Sequence, residues 1–215
     1  MRVMVVWVLP VNYLLGSLPC GLVVTWLFRG VDLRKYGSGN IGATNVSRVA
    51  GFFPALLAGV GDALKGFFGA YLALRFLGSS PVLFFLATSL VVVGHDWSLF
   101  LRFRGGKGVA TTLGVLFCLS WQAALLCFLT WVVMVAITRY SSLGSLSGAL
   151  VMPILLFLFR RPQAFVWWGI FAAVLVFLRH KDNIRRLVHR QELKIGERRS
   201  EGHGRECPGA ERDEL

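Results

Sequence analysis

Apolar residues fill the chain in long runs that are separated by short polar segments rich in glycine. A helix needs about 20 residues to cross a hydrocarbon core of about 30 Å. Runs of that class occupy positions 3–28, 52–77 and 81–101. The pattern therefore predicts three transmembrane helices in the first half of the chain.

The apolar runs of the second half are less regular. The run 109–138 exceeds one crossing and is too short for two full ones, so we expect two short or tilted helices there. The run 143–178 is interrupted by Arg160-Arg161-Pro162, and because proline ends a helix it divides into spans near 143–159 and 163–178. In total the pattern predicts an all-α polytopic membrane protein with seven transmembrane helices, some of them short or tilted.

Composition agrees with a membrane body followed by a polar tail. The hydrophobic fraction is 55% and the mean hydropathy is +0.64, values that exclude a soluble globular fold. Only three of the 11 acidic residues lie among the first 178 positions. We therefore divide the chain into a seven-span domain (1–178), a cytoplasmic amphipathic segment that completes the site (179–199) and a polar tail predicted to be disordered (200–215).

The net charge of +12 orients this body, because Lys and Arg accumulate on the cytoplasmic side of membrane proteins. With the N-terminus outside and the C-terminus cytoplasmic, most basic residues of the loops lie inside. Those residues are Arg29, Arg34, Lys35, Arg48, Arg102, Arg104, Lys107 and Arg139. A six-span alternative would place the basic tail outside, so the charge distribution favours seven spans.

The loop after the first span is dense in glycine, hydroxyl and amide groups from Gly37 to Arg48. Glycine lets the backbone turn its N–H groups toward an anion, hydroxyls add donors, and an arginine fork matches phosphate oxygens. An ordinary membrane turn would need only one or two such residues. We therefore predict that phosphate is bound by Ser38, Gly39, Asn40, Gly42, Thr44, Asn45 and Arg48.

The loop after the third span contains Gly105-Gly106-Lys107-Gly108 directly before a predicted helix. Such a turn places backbone donors, the positive end of the helix dipole and an ammonium group on one anion. It is not a Walker A loop, because that motif needs a hydroxyl residue directly after the lysine. Basic residues between spans would explain the lysine but not three glycines around it. The motif predicts an anion site formed by these four residues.

Two more inside segments offer polar groups. Ser145 lies near the start of a predicted helix, where serine is also a common cap residue. His180 and Asn183 are three positions apart at the start of the tail and share one face of a helix. An amphipathic helix on the membrane surface explains the same tail pattern, so both interpretations stay open.

Asp62, Lys65 and His95 are ionisable residues within or at the end of predicted spans. Asp62 and Lys65 are three positions apart, and such a pair inside a membrane helix is either functional or a mutually neutralising structural pair. His95 either orients the second loop or caps the end of the third span. We treat all three as weaker site candidates.

Several other classes of site are disfavoured. No His, Cys, Asp or Glu cluster has the spacing of metal ligands, so we expect no metal and no cofactor. Basic residues interrupt the apolar runs singly and form no stripe with exposed aromatics, which argues against nucleic-acid binding. The four cysteines lie mostly in apolar runs and are interpreted as packing residues. Membrane lipids and a phosphorylated small molecule are the expected partners.

The order of these segments resembles the bacterial acyl-phosphate-dependent glycerol-3-phosphate acyltransferase family, which carries out the first acylation of phospholipid synthesis. The resemblance covers nearly the whole membrane body. Its segments are Gly16 to Pro19, Gly37 to Arg48, Asp62 to Gly66, Gly94-His95, Phe103 to Gly114, Ser142 to Ser145 and Arg179 to Leu187. The His-x-x-x-x-Asp motif of other glycerol-phosphate acyltransferases is absent, which agrees with acyl phosphate as the donor.

The resemblance implies transfer of an acyl group from acyl phosphate to the 1-hydroxyl of glycerol 3-phosphate, giving lysophosphatidic acid and phosphate. It implies an active site on the cytoplasmic face of the bacterial inner membrane, no cofactor, and functional coupling to the enzyme that makes acyl phosphate. Catalytic residues would be His180, Asn183, Lys107 and Ser145, with the proton accepted by His180 or by the leaving phosphate. The alternative function is a membrane transporter of phosphate or a phosphorylated metabolite.

Overall fold

The computed structural model describes residues 2–197, with side chains from residue 7 onward. Within this part every regular element is helical, and no strand occurs. The α-helices are α1 (Arg2–Ser17), α2 (Cys20–Arg29), α3 (Ala43–Ala50), α4 (Phe52–Leu77), α5 (Pro81–Asp96), α6 (Val109–Leu119), α7 (Trp121–Thr138), α8 (Ser141–Leu158), α9 (Gln163–Arg179) and α10 (Lys181–Val188). The predicted all-α class is confirmed, whereas the predicted tail 200–215 lies outside the described residues.

Five helical units of the described chain are long and apolar enough to cross a membrane. They are Trp7–Arg29, Phe52–Leu77, Pro81–Leu101, Trp121–Thr138 and Ser141–Leu158. The α9 and α10 helices, which meet at 58°, raise the number to six if they form one broken span. The α6 helix has 11 residues and is about 16 Å long at 1.5 Å per residue, which is shorter than the hydrocarbon core. The predicted count of seven therefore depends on whether α6 crosses.

Each of the two irregular apolar runs of the second half is divided into two helices, as its length predicts. The run 109–138 is divided at Ser120, whose side chain accepts a hydrogen bond from the amide of Ala123 and caps α7. Arg161, in the break between α8 and α9, donates to Ser120 Oγ at 3.2 Å and to Gln122 Oε1 at 2.7 Å. The two breaks are thus joined to each other by an arginine.

The outward faces of the helices are apolar. Trp26, Phe52, Ile137 and Phe157 are all more than 60% exposed, which would be unfavourable in water but suits contact with lipid tails. The α7 helix is the extreme case, because only 17% of its apolar stretch is buried inside the protein. The described helices therefore form a bundle whose surface matches a membrane interior.

Small residues bring α4 and α6 into backbone contact. A Cβ added to Gly66 of α4 would lie 2.0 Å from the carbonyl oxygen of Thr111. One added to Gly114 of α6 would lie 1.8 Å from the carbonyl oxygen of Ala63. Any side chain at either position would push the helices apart, as at other small-residue contacts in membranes. This contact fixes the position of α6 and of the loop that precedes it.

A small apolar core underlies the loop between α2 and α3, which is the first loop of the predicted site, apart from the main core of the bundle. Its fully buried members include Leu33, Ile41 and Val46, and it extends to Ala58 of α4 and to Leu101. The loop itself is polar, so these few apolar residues are what anchors it to the helices. The α3 helix is consequently held against α4 at one end of the bundle.

Candidate active site

Asn45 organises the first loop. It is 1% exposed, and its side-chain Nδ2 donates to the carbonyl oxygens of Tyr36 at 3.0 Å and Asn40 at 2.9 Å. Its Oδ1 accepts from the amide of Ser38 at 2.9 Å. An amide side chain has two donors and one acceptor oxygen, so Asn45 is fully used inside the protein. Asn45 therefore shapes the loop in this structure, and its contact with phosphate stays a prediction.

The remaining polar residues of the loop lie around this centre. Asn40 Oδ1 accepts from the amide of Gly42 at 2.9 Å, which closes a local turn before α3. Gly39 has a φ of 70°, in the left-handed region that glycine adopts without strain. The side chain of Ser38 is exposed at the loop surface and is available to a ligand.

The first loop contacts the start of α8. Thr44 Oγ1 and Ser141 Oγ are 3.0 Å apart, and Ser145 Oγ donates to the Ser141 carbonyl oxygen at 2.9 Å. Ser145 is buried, and it points back along its own helix. The first loop and the third inside turn, which are about 97 positions apart, therefore form one surface.

Arg48 connects α3 to the segment after α10. Its Nη2 donates to the carbonyl oxygen of Leu193 at 3.3 Å, whereas its buried Nε has no partner among the described residues. Burial lowers the pKa of Arg48, and the neighbouring carboxylate of Glu192 opposes that effect. An always-charged guanidinium with a buried, unused donor favours a bound anion.

The second loop rests on the end of α5. The amide of Gly105 donates to the Asp96 carbonyl oxygen at 3.2 Å, and that of Gly106 donates to the His95 carbonyl oxygen at 3.0 Å. These two amides are therefore not available to an anion in this structure. The left-handed φ of 68° at Gly108 then turns the chain into α6. The first amides of a helix have no intrahelical partner, so the donors near Lys107 and Gly108 remain for a ligand.

Lys107 meets the tail segment at Asn183. Its Nζ donates to Asn183 Oδ1, and Asn183 Nδ2 donates to Glu192 Oε1. Glu192 Oε2 in turn accepts from Arg186 Nε at 2.7 Å. Burial lowers the pKa of Lys107 to about 8, and Glu192 is the carboxylate that opposes this shift. The cations Lys107, Arg48 and Arg186 thus lie around one carboxylate, that of Glu192, and one side-chain amide, that of Asn183.

His180 lies between α9 and α10 and is 3% exposed. Its Nδ1 is 2.8 Å from the carbonyl oxygen of Val176, and because a carbonyl only accepts, Nδ1 carries the proton. Burial, reinforced by the positive charge of Lys107, lowers the pKa of His180 to about 4. The ring is therefore neutral near pH 7, with Nε2 free to accept a proton.

The three weaker candidates form a buried cluster beneath the second loop. Lys65 Nζ lies 2.8 Å from Asp62 Oδ1 and 2.8 Å from His95 Nδ1, and it also donates to the Leu18 carbonyl oxygen at 2.8 Å. The opposite ring nitrogen of His95 faces Gly106, where a Cβ would lie only 2.1 Å away. The cluster therefore joins the break between α1 and α2 to the loop and lies below the anion-binding surface.

Two residues with central contacts were not predicted as site residues. Arg179 donates from Nε and Nη2 to the Gly106 carbonyl oxygen at 3.1 and 2.7 Å. Glu192 accepts from Asn183 and Arg186 as described above. Arg179 ends a span, where a basic residue is expected on charge alone, and Glu192 belongs to no motif. The sequence carries no distinct signal for either contact, because both depend on how α9 and α10 pack.

Residues that could hold a metal are scarce in this region. Within residues 2–197, no group of three or more His, Cys, Asp or Glu side chains is arranged to bind a metal ion. The polar groups that converge are instead hydroxyls, amides and cations, which suit phosphate oxygens. The geometry is that of an anion site built from four separate segments of the chain.

Comparison with known proteins identifies the family. Residues 6–190 match the family described as glycerol-3-phosphate acyltransferase. The chain belongs to the glycerol-3-phosphate acyltransferase family. The family match covers the first loop, the second loop, α8 and most of the tail segment. All the residues predicted to form the site therefore lie within the matched region.

Individual relatives agree with this assignment. The glycerol-3-phosphate acyltransferase of Carboxydothermus hydrogenoformans is 43% identical over 188 residues, which is 87% of this chain and 95% of that protein. The enzyme of the same description from Thermus thermophilus is 42% identical over 193 residues, which is 90% of this chain and 96% of that protein. The chain therefore matches these acyltransferases over nearly their whole length.

Two solved structures share the fold. The crystal structure of PlsY, an integral membrane glycerol 3-phosphate acyltransferase, in its glycerol 3-phosphate form superposes with a TM-score of 0.85 at 38% identity and covers 90% of this chain and 96% of that chain. The lysophosphatidic acid form superposes with a TM-score of 0.84 at 37% identity, with the same coverage. The acyltransferase described here is thus an integral membrane enzyme of that fold.

Proposed function

We propose that this acyltransferase moves a fatty acyl group from acyl phosphate to the 1-hydroxyl of glycerol 3-phosphate, releasing lysophosphatidic acid and phosphate. The observation that carries the proposal is the contact of Lys107 with Asn183 next to the neutral ring of His180. Around this contact, Lys107, Arg48 and Arg186 bring positive charges from three segments of the chain. A reaction with phosphate groups on both substrates requires such charges. The PlsY structures hold glycerol 3-phosphate and lysophosphatidic acid, which are the acceptor and product named here.

The family resemblance implies acyl phosphate as the donor, and the chemistry of the residues is compatible with it. Phosphate is a good leaving group, so an acyl phosphate needs alignment and charge neutralisation more than covalent activation. Lys107, Arg48 and the free amides before α6 supply both. The absent His-x-x-x-x-Asp motif argues against the thioester-dependent enzymes. Free phosphate would leave through the same cationic surface.

The proton of the attacking hydroxyl has two acceptors in this scheme. His180 Nε2 carries a lone pair, because Nδ1 is committed to Val176. A pKa of about 4 makes His180 a weak base, however, and the leaving phosphate is a stronger one. We therefore assign His180 to holding the hydroxyl and the departing phosphate to accepting its proton.

The predicted site residues take different roles in this proposal. Ser38, Thr44 and Arg48 contact phosphate oxygens from the first loop, and Lys107 contacts them from the second. Asn183 orients the ammonium group of Lys107, and Ser145 orients the substrate. The buried cluster of Asp62, Lys65 and His95 supports the second loop from below. The glycine and asparagine residues of the two loops shape their backbones, namely Gly39, Asn40, Gly42, Asn45, Gly105, Gly106 and Gly108.

The same proposal includes a topology. With α6 as a short crossing held against α4, the bundle has seven spans, the N-terminus outside, and the site on the cytoplasmic face of the bacterial inner membrane. Residues 179–199 then form a cytoplasmic segment that completes the site. Cysteines introduced by Arg104→Cys and Trp121→Cys, two exposed positions that flank α6, would in a background without native cysteines be labelled by a membrane-impermeant reagent from opposite sides. Labelling of both from one side would contradict seven spans.

The reaction is tested with purified protein in nanodiscs. Palmitoyl phosphate and glycerol 3-phosphate are expected to yield lysophosphatidic acid and phosphate in equal amounts, with no product from palmitoyl coenzyme A. Lys107→Ala removes this activity, whereas Lys35→Ala, which changes an exposed lysine near the first loop, keeps it. Product from the coenzyme A thioester alone would refute the donor. Uptake of glycerol 3-phosphate into proteoliposomes without acylation would instead support a transporter.

A further inference from the structure

Arg179 is adjacent to His180 in the chain but contacts the second loop. Its Nε and Nη2 donate to the Gly106 carbonyl oxygen at 3.1 and 2.7 Å, and Nη2 also donates to the Gly105 carbonyl oxygen at 3.4 Å. The guanidinium therefore binds two consecutive carbonyl groups with one fork. An ammonium group lacks this planar fork and could not reproduce the arrangement.

Trp97 supports the guanidinium from its flat side. The central carbon of the Arg179 guanidinium lies 5.0 Å from the centre of the Trp97 ring, within the range of a cation–π contact. Trp97 follows α5 directly, and its carbonyl oxygen accepts from Tyr13 Oη at 2.8 Å. The end of α9 is thus tied through Arg179 to the end of α5.

The peptide groups of Gly105 and Gly106 are consequently held on both sides. Their amides donate to the carbonyl oxygens of Asp96 and His95, and their carbonyl oxygens accept from Arg179. Two consecutive glycines would otherwise be the most flexible part of the loop. The carbonyl groups of Gly105 and Gly106 point at Arg179. The amides that follow Gly106 in the chain therefore point away from Arg179.

We propose that Arg179 is a positioning residue that locks the Gly105-Gly106 backbone so that Lys107 and the first amides of α6 face the substrate phosphate. The Nε and Nη2 donors of Arg179 are committed to the two loop carbonyls, so we assign the residue to holding the loop and not to binding the substrate. The inference rests on the proposed phosphate-binding role of this loop. It assigns to Arg179 a function distinct from those of its neighbours His180 and Asn183.

The competing explanation is a purely electrostatic one, in which any positive charge at this position attracts the substrate. The two explanations predict different results for Arg179→Lys, which keeps the positive charge but loses the planar set of guanidinium donors. Positioning predicts that this variant raises KM for glycerol 3-phosphate about 10- to 30-fold, with kcat within about threefold of the wild type. The electrostatic explanation predicts a KM near that of the wild type. Methylguanidinium is expected to restore the KM of Arg179→Ala, because it can occupy the vacated place on Trp97.

Amide hydrogen exchange of the complete protein in nanodiscs gives a readout that does not depend on turnover. Arg179→Lys is expected to speed exchange in residues 105–111 and to leave α4 and α7 unchanged. Arg185→Lys is the matched control, since Arg185 is an exposed arginine on α10 and does not contact the loop. It is expected to match the wild type in both KM and exchange.

The KM and exchange measurements each support or overturn the positioning role of Arg179. A raised KM together with faster exchange at 105–111 supports it. A wild-type KM for Arg179→Lys, a lower kcat at unchanged KM, or unchanged exchange of the loop would overturn it. If the wild-type protein neither binds glycerol 3-phosphate nor turns it over, the proposed function fails, and the exchange comparison still tests whether Arg179 holds the loop.

Discussion

Lys107 donates a hydrogen bond from Nζ to Oδ1 of Asn183, a residue 76 positions later in the chain. The bond joins the glycine-rich loop before α6 to the amphipathic helix α10. Neither segment completes a site alone, because the ammonium group comes from one and the amide that orients it comes from the other. This pairing is the reason to treat the inside loops as one composite site.

The first prediction concerns the coupling of that pair. Lys107→Met is expected to lower kcat/KM by about 100-fold or more, since it removes the main cation of the site. Asn183→Ala is expected to cost less, and the double variant is expected to be no worse than Lys107→Met, because the amide acts through the lysine. Steady-state kinetics of the three variants measure this. Additive losses would show that the two residues act independently.

The second prediction separates two neighbours in the first loop. Asn45→Ala removes the hydrogen bonds of a buried side chain to Ser38, Tyr36 and Asn40 and is expected to lower the free energy of unfolding by about 2–4 kcal/mol, together with activity. Ser38→Ala changes an exposed side chain and is expected to lower activity with an unchanged melting temperature. Thermal unfolding in detergent, followed beside turnover, distinguishes them. Equal melting temperatures for both variants would contradict the shaping role of Asn45.

The third prediction is the pH dependence of turnover. Burial holds the pKa of His180 at about 4, so its ring is neutral above pH 5 and contributes no acid limb near 6.5. Burial also lowers the pKa of Lys107 to about 8, so the needed positive charge is lost as the pH rises through that value. We expect activity to be level from about pH 5.5 to 7 and to fall above about pH 8. An activity loss centred near pH 6.5 would refute the assignment for His180.

The fourth prediction addresses the buried cluster below the loop. Lys65→Met leaves the carboxylate of Asp62 without its ion-pair partner and is expected to destabilise the protein by about 3–5 kcal/mol. Asp62→Asn combined with Lys65→Met removes both charges and is expected to recover much of that loss. Melting temperatures of the single and double variants in detergent provide the measurement. A double variant as unstable as Lys65→Met would mean that the pair is not a self-neutralising unit.

Hydropathy alone was sufficient for most of the fold. The helical class, the long α4 helix and the breaks near Ser120 and Pro162 follow from local effects, namely the length of apolar runs and the geometry of proline. Hydropathy did not settle the number of transmembrane helices. The α6 helix ends before Ser120, and its position depends on glycine contacts with α4; such contacts between distant residues leave no mark on a hydropathy profile.

The candidate site was predictable in its location and less so in its roles. Glycines, hydroxyls and cations identified the four inside segments. Asn45 nevertheless donates from Nδ2 to loop carbonyls and accepts at Oδ1 from the Ser38 amide, and the amides of Gly105 and Gly106 donate to α5. A residue type states which hydrogen bonds are available, and only the neighbours show which of them are already used.

The sequence by itself determined the membrane body, its helices and the loops rich in phosphate donors, because each of these depends on residues close together in the chain. Only the tertiary structure decided that Lys107 meets Asn183, that Glu192 meets Arg186, and that Arg179 grips the second loop. Those contacts join the loop before α6 to the end of α9 and to α10, and α10 to the segment that follows it. They exist because α9 ends beside α5, and the packing of whole helices sets that placement.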